Sequence, residues 1–288
     1  MSSIVMYGNE YFGQIDNGLT PAHFKYRFLV EGDSWMDRSS MFHTSLLQCL
    51  APEFDAEHED AMFVNVSMFG DTMRRMGGQA TEDFSSWLND DLGWTFDAVL
   101  LSAGGNDFID AARDPAPGQG ILKDFAANSM LASGHDCIDR NAVGELVTRW
   151  LDPNFKRLYE TVRNSRFHAE TPIFLNNYDT PTARNAPAFR SGKAWLYEAF
   201  KKNSIPESFW PDLTDSIFND VQTSVAGWTF GRDKVFTVPT DGVLTPSAAG
   251  TTGSDGDWLN EIHPNASGWH KLAKVWHAKL KDTLNQSF

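Results

Sequence analysis

Basic residues are scarce in this chain: 24 Lys and Arg stand against 38 Asp and Glu, a formal net charge of −14. Nucleic-acid affinity depends on Lys and Arg neutralising phosphates, so the imbalance argues against a nucleic-acid partner. Cysteine is nearly missing as well. Cys49 and Cys137 are the only two, too few for a disulfide framework and without metal-ligand spacing. No apolar run approaches the roughly 18 residues of a membrane span. Residues 1–13 show no basic segment followed by an apolar one, which predicts a cytoplasmic protein without a secretory leader. The eight histidines are scattered and form no metal pair, so no metal is expected.

What is present is a repeated pattern of short apolar runs that stop at small polar residues. Tyr26 to Val30 is a buried-strand pattern ending at Gly32-Asp33-Ser34. A helix is predicted from Met41 to about Leu50. A second strand, Met62 to Phe69, closes at Gly70-Asp71, and Thr72 to Asp90 reads as a helix with a break at Gly77-Gly78. Asp97 to Ala103 is a third strand and runs into Gly104-Gly105-Asn106-Asp107. The stretch from Asp107 to about Asn141, with Pro115 and Pro117, reads as a polar insertion on the substrate side.

Helix Ala142 to Arg166, strand Pro172 to Tyr178, helices Ala194 to Lys202 and Leu213 to Trp228, strand Lys234 to Pro239 and helix Ser267 to Leu284 complete the pattern. Strand–helix alternation of this kind predicts one α/β domain over 1–288. It is expected to be a three-layer α/β/α sandwich with a five-stranded, mainly parallel sheet and its site at the carboxyl ends of the strands. Ser34 has two readings at this point. It caps the helix that follows, or its hydroxyl serves as a nucleophile beside unpaired backbone amides.

Taken in order, Gly-Asp-Ser34, Gly70, Gly-Gly-Asn106-Asp and His263-Pro resemble the SGNH (GDSL-type) hydrolases, over a span from about Tyr26 to Leu280. The resemblance implies a flavodoxin-like strand order and ester hydrolysis through an acyl-enzyme, with no cofactor. It also implies Ser34 as nucleophile, His263 as base, and an oxyanion hole from the N–H groups of Ser34 and Gly70 and the Asn106 amide. The chemistry explains the residue types: a serine hydroxyl needs an imidazole to take its proton, and the tetrahedral intermediate needs donors for its negative oxygen. The substrate expected is a small-molecule or carbohydrate ester with a short acyl group, such as an O-acetylated sugar.

One position departs from the family. Where Asp is usual, three residues before the histidine, this chain has Asn260, with Glu261 and Asp257 as the nearest carboxylates. An Asn carbonyl accepts a hydrogen bond from imidazole but supplies no charge to imidazolium. Asn260 as orienter of His263, a nearby carboxylate in its place, a glycan- or acyl-binding module of weak or no activity, and an acyltransferase all remain open at this level. Trp35 and Trp258 are candidates for the wall of an acyl or sugar pocket.

Overall fold

In the computed structural model, residues 2–37, 44–78, 81–128, 130–189 and 192–286 are described. Six strands form one parallel sheet: β1 (Ile4–Tyr7), β2 (Tyr26–Gly32), β3 (Ala61–Asn65), β4 (Ala98–Ser102), β5 (Ile173–Asn176) and β6 (Val235–Val238), in the order β1-β3-β2-β4-β5-β6. The helices are α1 (Gly8–Asp16), α2 (Leu46–Ala56), α3 (Met73–Met76), α4 (Thr81–Asn89), α5 (Gly105–Ala112), α6 (Arg140–Leu146), α7 (Asp152–Arg163), α8 (Leu196–Lys202), α9 (Trp210–Gly227) and α10 (Ala266–Leu284).

The five strands expected from the sequence are all present, and β1 makes six. It is a four-residue edge strand, largely half-buried and paired to β3, and its apolar run Ile4-Val5-Met6-Tyr7 is short and passes straight into α1. Without β1, the remaining order is that of a flavodoxin-like sheet. Two boundaries also move. The second strand ends at Asn65, where the Asn65 side chain accepts from the Ser67 N–H and hydroxyl and turns the chain away. The supposed insertion begins with helix α5, whose Phe108, Ile109 and Ala112 are buried. The rest of that stretch is packed as well: Ile121, Leu122, Cys137 and Ile138 are buried, and the Gly118 and Phe125 amides bond to Asn203 just beyond α8. Met41 and Phe42, part of the predicted first helix, lie outside the described residues.

The layers follow from side-chain alternation along the strands. Tyr26 and Phe28 of β2 point at Phe54 of α2, which packs on α10. Val99 and Leu101 of β4 face Phe84 of α4 and Phe155, Leu158 and Val162 of α7 on the other side. β2 lies between β3 and β4, so the chain order reverses at its carboxyl end, where open α/β sheets bind ligands. Gly32 makes the turn there possible. Its φ is +153°, and a Cβ would stand 2.7 Å from the Ser102 carbonyl oxygen on β4.

Candidate active site

The turn after β2 is held from below by a buried polar network. Asp33 accepts from the Trp35 N–H (3.0 Å), the Ser102 hydroxyl (2.9 Å) and the Tyr178 hydroxyl (2.5 Å), which ties the ends of β2, β4 and β5 together. Burial pushes its carboxyl up to about 6, against the pull of those hydrogen bonds. Trp35 packs edge-on against Tyr178, Trp258 and Trp269, so the residue after Ser34 is locked in an aromatic cluster. Ser34 itself is buried.

Its hydroxyl meets a partner 229 residues away. Ser34 Oγ lies 2.9 Å from His263 Nε2, and His263 Nδ1 lies 3.0 Å from Asn260 Oδ1. The orientation of the Asn260 amide is fixed by the backbone, because the same Oδ1 accepts from the Ile262 N–H (3.1 Å) and the His263 N–H (2.9 Å). Turning the amide over would set its NH₂ against two N–H donors. Asn260 Oδ1 is therefore an acceptor, His263 Nδ1 carries the proton, and Nε2 presents a lone pair to the Ser34 hydroxyl. That is the tautomer a general base needs. Asn260 Nδ2 is buried with no partner among the described residues. Desolvation in the same pocket pushes His263 down to about 3, so the imidazole is neutral at ordinary pH. Phe69 stacks on the ring at 6.0 Å and Trp195 meets it edge-on at 5.5 Å.

Neither nearby carboxylate reaches the histidine. Glu261 points away into the fold, where Oε1 accepts from the Arg184 and Tyr197 N–H groups and Oε2 from those of Trp195 and Leu196. It thereby secures the start of α8. Burial raises its carboxyl to about 7, opposed by those four amides. Asp257 is bonded to Lys271, the Thr245 N–H and the Ser267 hydroxyl; burial raises its carboxyl, but these partners outweigh it and bring it to about 2.

The three donors expected around the nucleophile are placed unequally. The Ser34 and Gly70 N–H groups make no hydrogen bond among the described residues. Asn106, in the first turn of α5, uses one N–H of its amide on the Asp71 carbonyl (2.9 Å) and retains a second. Gly70 is exposed, at φ +77°, between Phe69, which stacks on His263, and Asp71, which holds Asn106. Its neighbours on both sides thus touch the site.

A cavity of about 10 Å³ adjoins Ser34, bounded by Asn106, Ile109, Phe218, Trp258 and Ile262. That is room for about one water-sized group. Trp35 and Trp258 both line it. The sequence singled out those tryptophans but not Phe218 or Ile109, which sit in ordinary helical apolar patterns and carry no local signal. Asp33 was legible only as a turn residue, because its partners Ser102 and Tyr178 lie far along the chain.

No protein-family model and no curated protein matches the chain. Among solved structures, it is similar to a psychrotrophic esterase from Pseudoalteromonas sp. (14% identity, 90% of this chain and 98% of that one, TM-score 0.44). It is also similar to a lipase/acylhydrolase from Enterococcus faecalis (12% identity, 90% and 96%, TM-score 0.40). No described helix is long and apolar enough to cross a membrane.

Proposed function

We propose that this protein is a serine ester hydrolase of the SGNH type that removes short acyl groups, acetyl first, from an alcohol such as a carbohydrate hydroxyl. The observation that carries the reading is the continuous relay from Ser34 Oγ to His263 Nε2 and from His263 Nδ1 to Asn260 Oδ1, with the amide orientation set by backbone donors. Ser34 Oγ attacks the ester carbonyl as its proton passes to Nε2. The carbonyl oxygen takes the negative charge toward the Ser34 and Gly70 N–H groups and the Asn106 amide. Collapse breaks the bond to the alkoxide, which leaves with the proton from Nε2. Water, giving its proton to the same nitrogen, then releases the acid and restores Ser34.

The 10 Å³ cavity at Ser34 supports the small acyl group, since a methyl fits and a longer chain meets Phe218, Trp258 and Ile262. Asn260 favours a slower variant of the reaction, because the imidazolium formed in each step has no carboxylate beside it. The test is a chain-length series with p-nitrophenyl acetate, butyrate and octanoate, followed by intact mass after rapid acid quench. Acetate preference with an added acetyl group supports the reading. Octanoate preference defeats the acyl assignment, and turnover without a transient adduct in burst kinetics defeats the acyl-enzyme. Acyl transfer to added alcohol in preference to water points to the transferase instead.

A further inference from the structure

A second cavity, of about 710 Å³, opens beside the site. It is in the size range that takes a drug-sized or larger ligand. It does not touch Ser34 or His263, yet Asp179 and Pro181, on the loop after β5, line both it and the small cavity at Ser34. We propose that this cavity is the subsite for the alcohol half of the substrate, and that it takes a glycan of neutral or amino sugars while rejecting anionic ones. The proposal rests on the ester-hydrolase reading and adds to it the class of the alcohol.

The lining explains the choice. Trp210 and Tyr197 meet edge-on at 5.4 Å and form an aromatic wall against which the C–H faces of sugar rings pack. Thr214 borders the cavity, its hydroxyl buried and without a partner among the described residues. Glu207 and Asp215 are exposed at the cavity and make no ion pair among the described residues. Among the described residues one cation lines the cavity, and its terminal guanidinium nitrogens are bonded within the fold. Arg184 is buried, its Nη1 bonded to the Gly253 carbonyl and Thr251 Oγ1 and its Nη2 to the Asn260 carbonyl at 2.8 Å. Lys201, nearby, is bonded to the Tyr197 hydroxyl. A carboxylate- or phosphate-bearing sugar therefore meets the exposed carboxylates of Glu207 and Asp215, a repulsion that the Lys201 ammonium near Glu207 offsets only in part, whereas an ammonium or a neutral ring meets none.

The test is isothermal titration of the Ser34→Ala protein at low salt with three probes of equal length: the glucosamine trimer, the N-acetylglucosamine trimer and trigalacturonate. The first two are expected to bind, with trigalacturonate at least about tenfold weaker, the scale of two nearby charges in water-like surroundings. The Glu207→Gln/Asp215→Asn double variant, confirmed folded by thermal unfolding, is expected to close most of that gap. Equal or tighter binding of trigalacturonate, a gap the double variant does not change, or no binding of the first two trimers overturns the proposal. Binding in the expected order by a protein that hydrolyses no ester upholds the subsite and defeats the hydrolase reading alone.

Discussion

Replacing Asn260 by Asp tests the site where it departs most from a carboxylate-based triad. In a Ser–His–Asp protease, Asp→Asn costs about 10⁴ in turnover, chiefly because the wrong tautomer is held. Here the tautomer is already correct, since two backbone amides hold Asn260 Oδ1 toward His263 Nδ1 at 3.0 Å. What the substitution adds is charge beside the imidazolium. Two unit charges about 4 Å apart interact by roughly 4 kcal/mol at an effective dielectric of 20. Burying a carboxylate at a position only 2% exposed offsets part of this. The Arg184 guanidinium, bonded to the Asn260 carbonyl, reduces that cost. The net expectation is a rise in kcat of about 10- to 1,000-fold, or roughly 1.4–4 kcal/mol.

The pH profile must move with it. His263, held at about 3 by burial, stays a neutral base far into acid, so the native protein keeps its activity below pH 5. A carboxylate partner favours imidazolium and raises that pKa, so the acid limb of kcat/KM shifts toward the ordinary imidazole value near 6.5. The assay is p-nitrophenyl acetate hydrolysis from pH 3.5 to 8 by both proteins, with thermal unfolding to confirm that both are folded. A folded variant with unchanged kcat and an unmoved acid limb refutes the coupling of residue 260 to His263.

Three further outcomes follow from the same geometry. Asn106→Ala removes one donor of the proposed oxyanion hole and is expected to lower kcat by about 10²–10³ with little change in KM, measured on the same ester. Phe218→Ala enlarges the small cavity and is expected to shift preference from acetate toward butyrate; an unchanged chain-length ratio removes Phe218 from the acyl pocket. Glu31 is buried in β2, with burial raising its carboxyl to about 8, against the Gly32 N–H that it accepts. The folded state thus binds this proton more tightly than the unfolded chain does, and the contribution to stability is full below about pH 4.5 and lost as pH rises toward 8. Glu31→Gln is expected to reduce the fall in Tm between pH 5 and pH 8, followed by calorimetry, and an identical fall in both proteins contradicts it.

The sheet was legible where a strand is largely buried, because β2, β3, β4 and β5 write themselves as short apolar runs, and the edge strand β6, with Phe236 and Thr237 half-buried, still shows Val235-Phe236 and Val238. The edge strand β1 is half-covered and α1 follows it directly, so neither leaves a periodic signature. Helix α5 hides behind Gly105-Asn106-Asp107, whose composition favours a turn; its N-terminus is nevertheless helical because Asp107 turns its carboxylate to the Met73 amide and Phe108 is buried. Spacing brought Ser34 and Asn106 to strand ends and His263 to the segment ahead of the last helix, but it could not orient the Asn260 amide. That depends on the backbone of Ile262 and His263. The role of Glu261 was equally out of reach, since the amides it accepts from lie 64 to 77 residues away.

The most direct test of the account is the rate of p-nitrophenyl acetate hydrolysis by the native protein beside its Ser34→Ala variant, both confirmed folded. The account predicts saturable turnover that falls by at least about 10³ in the variant. Equal activity in the two proteins contradicts it, because the hydroxyl 2.9 Å from His263 Nε2 is then not the nucleophile.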